Sequence, residues 1–280
     1  LLYLSAVLAG TLGLTSCELD EYNPTGGDAN ITAFDAWEGL ETYCYSPLAE
    51  QLYSVYDFLS VAEGGTDMWL TPAGNTDYAK QLIYYDGLTT STNATNKLFK
   101  QAYSCIASCN AVINNAPNVQ GGTEADKARI VAEAKTLRAF YNLLLVTYYG
   151  PVTLSQEDVS LGEINTTPTR NTVEEFYTSI TTDLKEAAAV LDVTPYDNNP
   201  DRVVKKTALG LLARAYAQGA GEGLSENGVS YWQRAREVAE ELINNAGSYN
   251  IYLYPDVADV WAQANNRNNR EALFQTSGGD

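Results

Sequence analysis

The stretch of sequence that decides the fold is residues 124–149, EADKARIVAEAKTLRAFYNLLLVTYY. Apolar side chains recur in it at steps of three and four residues, which places them along one stripe of an α-helix. Gly150 and Pro151 follow at once, and this pair of residues ends helices. The pattern therefore predicts a long helix with one buried stripe. The stripe consists of Ile130, Ala134, Leu137, Tyr141, Leu144 and Tyr148.

Further helical patterns lie on both sides of this stretch. Thr172 and Glu175 have the spacing of a capping box, so they predict the start of a helix. Ala208 and Ala215 share a stripe with Leu212, and small residues of this kind occur where the helices of tetratricopeptide pairs cross. The predicted helices cover residues 35–51 with a break at Pro47, and residues 97–115, 124–149, 172–191, 204–218 and 231–245.

These patterns predict an all-α fold of tetratricopeptide-like antiparallel helix pairs with long irregular loops. We expect residues 97–115 to pair with 124–149 and residues 204–218 to pair with 231–245. An irregular all-α bundle is the alternative, because helical periodicity alone does not distinguish the two. Sustained strand alternation is absent from the sequence. Short strands are conceivable only at residues 82–85 and 249–254.

The composition excludes several classes of function. The chain has 280 residues, with 17 basic against 35 acidic side chains and a formal net charge of −18. Nucleic-acid binding needs basic side chains on phosphates, and adsorption to anionic lipid needs them on the membrane surface. Histidine is absent, so the Ser-His-Asp and Cys-His arrangements and histidine-ligated zinc are ruled out. We expect no metal and no cofactor.

The first residues have the pattern of an export signal. Residues 1–14 (LLYLSAVLAGTLGL) are apolar, too short to span a bilayer and typical of the h-region of a signal peptide. Cys17 follows small residues in the sequence LTSC, which resembles a bacterial lipobox whose cysteine is lipidated. We therefore expect residues 1–16 to be a signal peptide that lacks its basic n-region, and residues 17–32 to be a lipid-anchored tether. An ordinary signal peptide with an incidental cysteine is the alternative.

Three further cysteines follow, at Cys44, Cys105 and Cys109. The last two are four residues apart in a predicted helix, so they share a face. An exported protein could form one disulfide among the three, but buried free thiols are the interpretation we favour.

Three stretches together resemble one known family. Residues 133–141 (EAKTLRAFY), continuing to residues 148–152 (YYGPV), are similar to a segment typical of the SusD/RagB family. Residues 206–217 (KTALGLLARAYA) and residues 232–249 resemble two later helices of that family. With the lipobox and the acidic residues after it, the resemblance covers nearly the whole chain.

The resemblance implies a function and a location. SusD/RagB proteins are nutrient-binding lipoproteins on the outer-membrane surface of Bacteroidetes, and they are not enzymes. They pass oligosaccharides to a TonB-dependent transporter of the SusC type. Because family members are about twice as long, we expect residues 33–280 to be the helical domain with its C-terminal part truncated. A lipid-anchored tetratricopeptide scaffold that binds only proteins is the alternative.

The candidate ligand site is the loop at residues 64–78. Sugars present apolar faces and hydroxyl edges, so a site needs flat aromatic rings beside polar side chains. The loop contains this mixture and resembles an early family loop with an aromatic platform. We predict that Trp69 is the stacking platform, that Asp67 and Asn75 bind hydroxyl groups, and that Tyr78 is a second aromatic face. The alternative is a structural loop in which Trp69 packs beneath the helices.

Pairs of carboxylates could also support glycoside hydrolysis. Three pairs are candidates: Glu174 with Glu175, Asp183 with Glu186, and Glu240 with Glu241. All of them fall on predicted helix faces or at a helix N-terminus, where acidic side chains are common. We therefore expect no catalytic residue.

Overall fold

The computed structural model describes residues 31–48, 58–68, 79–156 and 166–276. Helices dominate this part of the chain, and the only sheet in it is a short hairpin. The helices are α1 (Phe34–Tyr43), α2 (Phe58–Glu63), α3 (Asn93–Asn115), α4 (Glu124–Tyr149), α5 (Val173–Val190), α6 (Lys205–Gly221), α7 (Tyr231–Asn244) and α8 (Val257–Val260), and the strands are β1 (Ser225–Glu226) and β2 (Val229–Ser230).

The two central helices begin at capping boxes. The Thr123 hydroxyl accepts a hydrogen bond from the Asp126 N–H at 3.1 Å, and Thr172 caps α5 through the Glu175 N–H at 3.2 Å. Each of these contacts satisfies one of the N–H groups that the first turn of a helix leaves free. Helix α4 ends at Gly150, whose φ of 71° is readily adopted only by glycine. Local sequence thus sets both ends of α4.

The long helices pack in chain order. Helix α3 packs on α4, α4 on α5, α5 on α6, and α6 on α7. The predicted pairs of α3 with α4 and of α6 with α7 are present, and α5 lies between them. The all-α prediction is confirmed, and the fold is a stack of consecutive helices around one continuous core.

Helix α1 is attached to this stack by buried polar contacts. The Trp37 indole N–H donates to the carbonyl of Val112 in α3 at 2.8 Å, and the Tyr141 hydroxyl of α4 donates to the Cys44 carbonyl at 2.8 Å. Cys44, Cys105 and Cys109 lie in this region, buried and free of disulfides. Burial raises the pKa of the Cys105 thiol to about 12. A neutral thiol packs as a small apolar group, so these cysteines are part of the core.

Neither of the two stretches considered as short strands forms one. Residues Ala79–Ile83 form a π-helical turn, and Tyr85 has a φ of 54°, which is incompatible with extended pairing. Residues 251–254 have no strand partner within the described chain. The sheet that does form is the β1–β2 hairpin, whose turn residues Asn227 and Gly228 both have positive φ, as a two-residue hairpin turn prefers.

Residues 252–276, called the C-terminal segment below, return across the helices. The Leu273 carbonyl accepts a hydrogen bond from the Thr207 hydroxyl of α6 at 2.9 Å. Phe274 packs edge-to-face on Phe140 of α4, with ring centroids 5.6 Å apart. A Cβ on Gly210 would lie 2.7 Å from Leu273, so the glycine allows this close approach.

Candidate functional site

The predicted ligand loop is closed at its base by contacts between its two ends. Gly65 has a φ of 84°, and a Cβ at this position would lie 2.4 Å from the Leu82 carbonyl oxygen. The Tyr85 hydroxyl donates to the Gly65 carbonyl at 3.3 Å. The turn after α2 and residues 82–85 are therefore held together at the base of the predicted loop.

Aromatic and polar side chains are exposed around this base. Tyr84 is 55% exposed, Tyr85 is 65% exposed and Met68 is 86% exposed. Asp67, which precedes Met68 in the sequence, is also exposed. We call these four residues the aromatic rim. A tyrosine ring offers a flat apolar face with a hydroxyl at its edge, so the rim can stack on a ring and bind its hydroxyl groups.

The end of α4 lies close to the same region. Burial raises the pKa of Tyr148, and the charges of Arg214 in α6 and Glu63 in α2 act on it in opposite directions. The Gln218 side chain of α6 donates to the Thr147 hydroxyl at 3.3 Å. The surface beside the loop base therefore includes residues from α2, α4 and α6.

The structure places one of the four predicted ligand residues. Asp67 lies in the exposed turn after α2, as a ligand-binding residue requires, although no contact there assigns it that role. Trp69, Asn75 and Tyr78 lie outside the described residues, as does the predicted lipidation site Cys17. Those four assignments stay predictions.

Sequence reasoning missed the two rim tyrosines. Tyr84 and Tyr85 lay in a stretch considered as a strand, where alternate side chains would point inward. The available signal was that two adjacent tyrosines follow a loop rich in Gly, Asn and Asp, which would have suggested exposed aromatic rings at the end of that loop. A positive φ at the second tyrosine, which the sequence does not reveal, leaves both side chains exposed.

Five of the six carboxylates considered for hydrolysis have structural partners. Asp183 receives two hydrogen bonds from the Arg138 guanidinium, at 2.8 and 2.7 Å, and both side chains are more than 90% buried. Glu186 pairs with Lys135 on the adjacent helix. Of Glu174 and Glu175, the second caps α5. Of the last pair, Glu240 forms an ion pair with Arg236, and Glu241 accepts a hydrogen bond from the Tyr249 hydroxyl. Every candidate pair thus contributes at least one carboxylate to structural contacts.

A second group of titratable side chains is buried between α1, α4 and the chain before α6. Arg202 pairs with Glu41 and Glu133, and Arg129 binds Glu133 at 2.7 Å and Glu38 at 2.9 Å. Burial and the neighbouring Glu133 carboxylate together raise the pKa of Glu41 to about 8, against the lowering effect of Arg202. With Glu41 protonated, two guanidinium groups face two carboxylates, so the cluster is electrically balanced.

Within the described ranges, no group of histidine, cysteine or acidic side chains could hold a metal ion. The helices described there are all too short or too polar to cross a membrane.

The stacked helices and the rim define the class of this chain: an all-α protein of consecutive helical hairpins that presents aromatic side chains at a loop base. A family profile described as "SusD-like_3: Starch-binding associating with outer membrane" matches residues 59–217, more than half of the chain. The match spans α2 to α6 and includes the predicted ligand loop. The chain therefore belongs to the SusD-like family, and the family prediction is confirmed.

Individual relatives agree with this assignment. A SusD-like protein of Bacteroides ovatus is 25% identical over 256 residues, which cover 90% of this chain and 44% of that protein. Among solved structures, a laminarin-binding SusD-like protein superposes with a TM-score of 0.70 at 21% identity and covers 87% of this chain and 51% of its own. Surface glycan-binding protein A of Bacteroides thetaiotaomicron, solved with laminarihexaose, has a TM-score of 0.64 at 20% identity, covering 84% and 48% respectively. The chain thus spans about half the length of these relatives.

Proposed function

We propose that this chain is the helical part of a surface protein that binds oligosaccharides without converting them. The observation that carries the proposal is the aromatic rim at the base of the loop, in a chain of the SusD-like family. Tyr84 and Tyr85 supply ring faces, and Asp67 supplies a hydrogen-bond acceptor, which together match the chemistry of a sugar ring. Trp69 extends the same surface if it occupies the platform position.

The proposal includes a location and a route. Lipidation of Cys17 would anchor the protein to the outer membrane, and residues 17–32 would hold the helical stack at the cell surface. A bound oligosaccharide would then pass to a TonB-dependent transporter of the SusC type. The net charge of −18 suits a domain that must stay soluble outside the cell.

Calorimetric titration of the full chain is the direct test. Laminarihexaose and a malto-oligosaccharide are suitable probes, because a structural neighbour was solved with the first and the family description names starch. Tyr84→Ala and Trp69→Ala should each weaken binding by about 5- to 30-fold, since a central aromatic contact contributes one to two kcal/mol. Trp261→Ala is the matched control: it removes an aromatic residue that is 82% exposed in the C-terminal segment, and binding should not change.

Two results would contradict the proposal. If the full chain binds neither probe nor any member of a broad polysaccharide panel, glycan binding by this part of the protein is refuted. Unchanged affinity in both aromatic variants would place the ligand elsewhere. If affinity purification from the membrane then recovers assembly proteins and no transporter, the protein-binding scaffold becomes the better description.

A further inference from the structure

A small cavity lies on the helical stack between the chain before α6, the first turn of α6 and the C-terminal segment. Its volume is about 100 Å³, and its walls include Val204, Lys206 and Thr207 on one side and Arg270 and Phe274 on the other. A cavity needs at least about 10–15 Å³ of such volume to hold one water molecule, so this one has room for several. It is large enough for one small polar group.

The polar lining of this cavity is one-sided in charge. It contains Lys206, Arg270 and Arg202 together with asparagine and glutamine side chains, and none of the described residues that line it is acidic. In a chain with twice as many acidic as basic side chains, this is an unusual local composition. Arg202 already pairs with the buried Glu133 carboxylate and contacts Glu41. Lys206 and Arg270 are left as the two uncompensated charges.

Neither of these two cations has an acidic partner among the described residues. Every ion pair in the part of the chain that the structure describes is formed by a basic residue other than Lys206 and Arg270. The buried Nε of Arg270 also has no hydrogen-bond acceptor there. The Arg270 guanidinium stacks on the Tyr252 ring, 5.1 Å from its centroid, which orients it without neutralising it. Burial lowers the pKa of Lys206, and the charge of Arg270 lowers it further. Two like charges are thus held together where an anion would relieve their repulsion.

The backbone favours an anion at the same place. Lys206 is in the first turn of α6, and the macrodipole of this 17-residue helix favours negative charge near its N-terminus. The N–H groups of Lys205, Thr207 and Ala208 already donate to backbone carbonyls, so the contribution of the helix is its dipole. Asn250 and Asn268 also line the cavity, and an asparagine side chain carries amide donors. Two cations, the positive end of a helix and two asparagine residues therefore surround one cavity.

We infer that this cavity is a binding site for a small oxyanion, a sulfate or carboxylate group, held between Lys206 and Arg270. The same chemistry is present in free inorganic sulfate and in the acidic substituent of a charged sugar. The site is separate from the aromatic rim, because its walls come from the start of α6 and the C-terminal segment and not from the loop after α2. It therefore does not depend on the proposed glycan function.

The test is thermal unfolding of the full chain with sodium sulfate, with sodium glucuronate and with neutral glucose, each compared with sodium chloride at equal ionic strength. At an anion concentration about ten times the dissociation constant, we expect the unfolding midpoint to rise by about 3–6 °C above the chloride control. Glucose should have no effect. A response to both anions identifies the shared oxyanion chemistry, whereas a response to glucuronate alone or to sulfate alone identifies the source that the site accepts.

Charge-neutralising variants locate the effect. Lys206→Gln and Arg270→Gln should each abolish the anion-dependent rise. In the absence of anion they should be at least as stable as the wild type, because each removes one of two repelling charges. Lys205→Gln is the matched control, since Lys205 is the preceding residue of the same helical turn but lines the groove between α5, α6 and α7. That variant should keep the full response. Equal stabilisation by sulfate and chloride, or an undiminished response in both cavity variants, would overturn the inference.

Discussion

Removal of the Asp183 carboxylate should be among the most damaging single changes in the protein. Arg138 lies on α4 and Asp183 on α5, and their side chains are only 7% and 6% exposed. Two of the guanidinium nitrogens bind the carboxylate, and the third binds the Asn110 side-chain oxygen at 2.9 Å. In Asp183→Ala the guanidinium keeps only the contact with Asn110, so a buried positive charge loses its counter-charge.

The expected magnitude follows from this geometry. Breaking a buried ion pair by removing one partner costs about 3–5 kcal/mol of the free energy of unfolding. For a domain of this size, each kcal/mol lowers the unfolding midpoint by about 2–4 °C, so the midpoint should fall by about 6–20 °C. The double variant Arg138→Met with Asp183→Leu should recover most of this loss, because it leaves no unpaired charge in the core.

The same two helices provide the control. Lys135 and Glu186 also join α4 to α5, but the Glu186 side chain is 53% exposed. Glu186→Ala should therefore cost about 0–1 kcal/mol, as surface pairs do. Urea unfolding monitored by circular dichroism, with calorimetry to confirm the midpoints, measures all four proteins. Equal losses for Asp183→Ala and Glu186→Ala, or a double variant less stable than Asp183→Ala, would refute the explanation by uncompensated charge.

Three further changes test other features of the structure. Glu41 has a pKa of about 8 in the folded protein, against an ordinary value of 4.5. Between those two pH values, the contribution of Glu41 to the free energy of unfolding therefore falls as the pH rises, by up to about 1.4 kcal/mol per pH unit. Glu41→Gln should remove this slope, which urea unfolding at several pH values measures. Gly65→Ala should lower the free energy of unfolding by about 1–3 kcal/mol, measured by thermal melts, because the φ of 84° and the nearby carbonyl oxygen both disfavour a side chain. Gly39→Ala is the control: a Cβ there would have nothing within 4 Å, so this variant should be neutral or stabilising. Thr172→Ala should lower the free energy of unfolding by about 1 kcal/mol, because α5 loses its cap, whereas Thr172→Ser should keep most of that stability.

The elements that the sequence predicts best are those with local signals at their ends. Helix α4 has the predicted limits, because Gly150 ends it and its apolar stripe is continuous. Helix α3 begins at Asn93, four residues earlier than predicted, since its first turn is polar and shows no periodicity. Helix α6 continues to Gly221, because two glycines weaken a packed helix without ending it.

The features that the sequence did not predict depend on contacts between distant residues. A charged residue on a helix normally faces solvent, so Arg138 and Asp183 gave no sign that they are buried partners. Arg202 reaches Glu41 from 161 residues away, and no local pattern records such a pairing. The rim tyrosines and the cavity at α6 have the same origin, since each needs two segments that only the folded chain brings together. Family resemblance indicated the place of the ligand loop, but not these contacts.

The serial packing of α3 to α7 has a consequence for how the molecule comes apart. A helix in the middle of the stack is held by the helices before and after it, whereas α7 packs chiefly on α6. Opening at that end exposes one interface and leaves the contacts of α4 intact, so amide hydrogens should exchange in a graded order, early in α7 and last in α4. Trp232 and Ile243 are largely exposed on α7. A further helix or segment that covered them would therefore stabilise the stack most at this end.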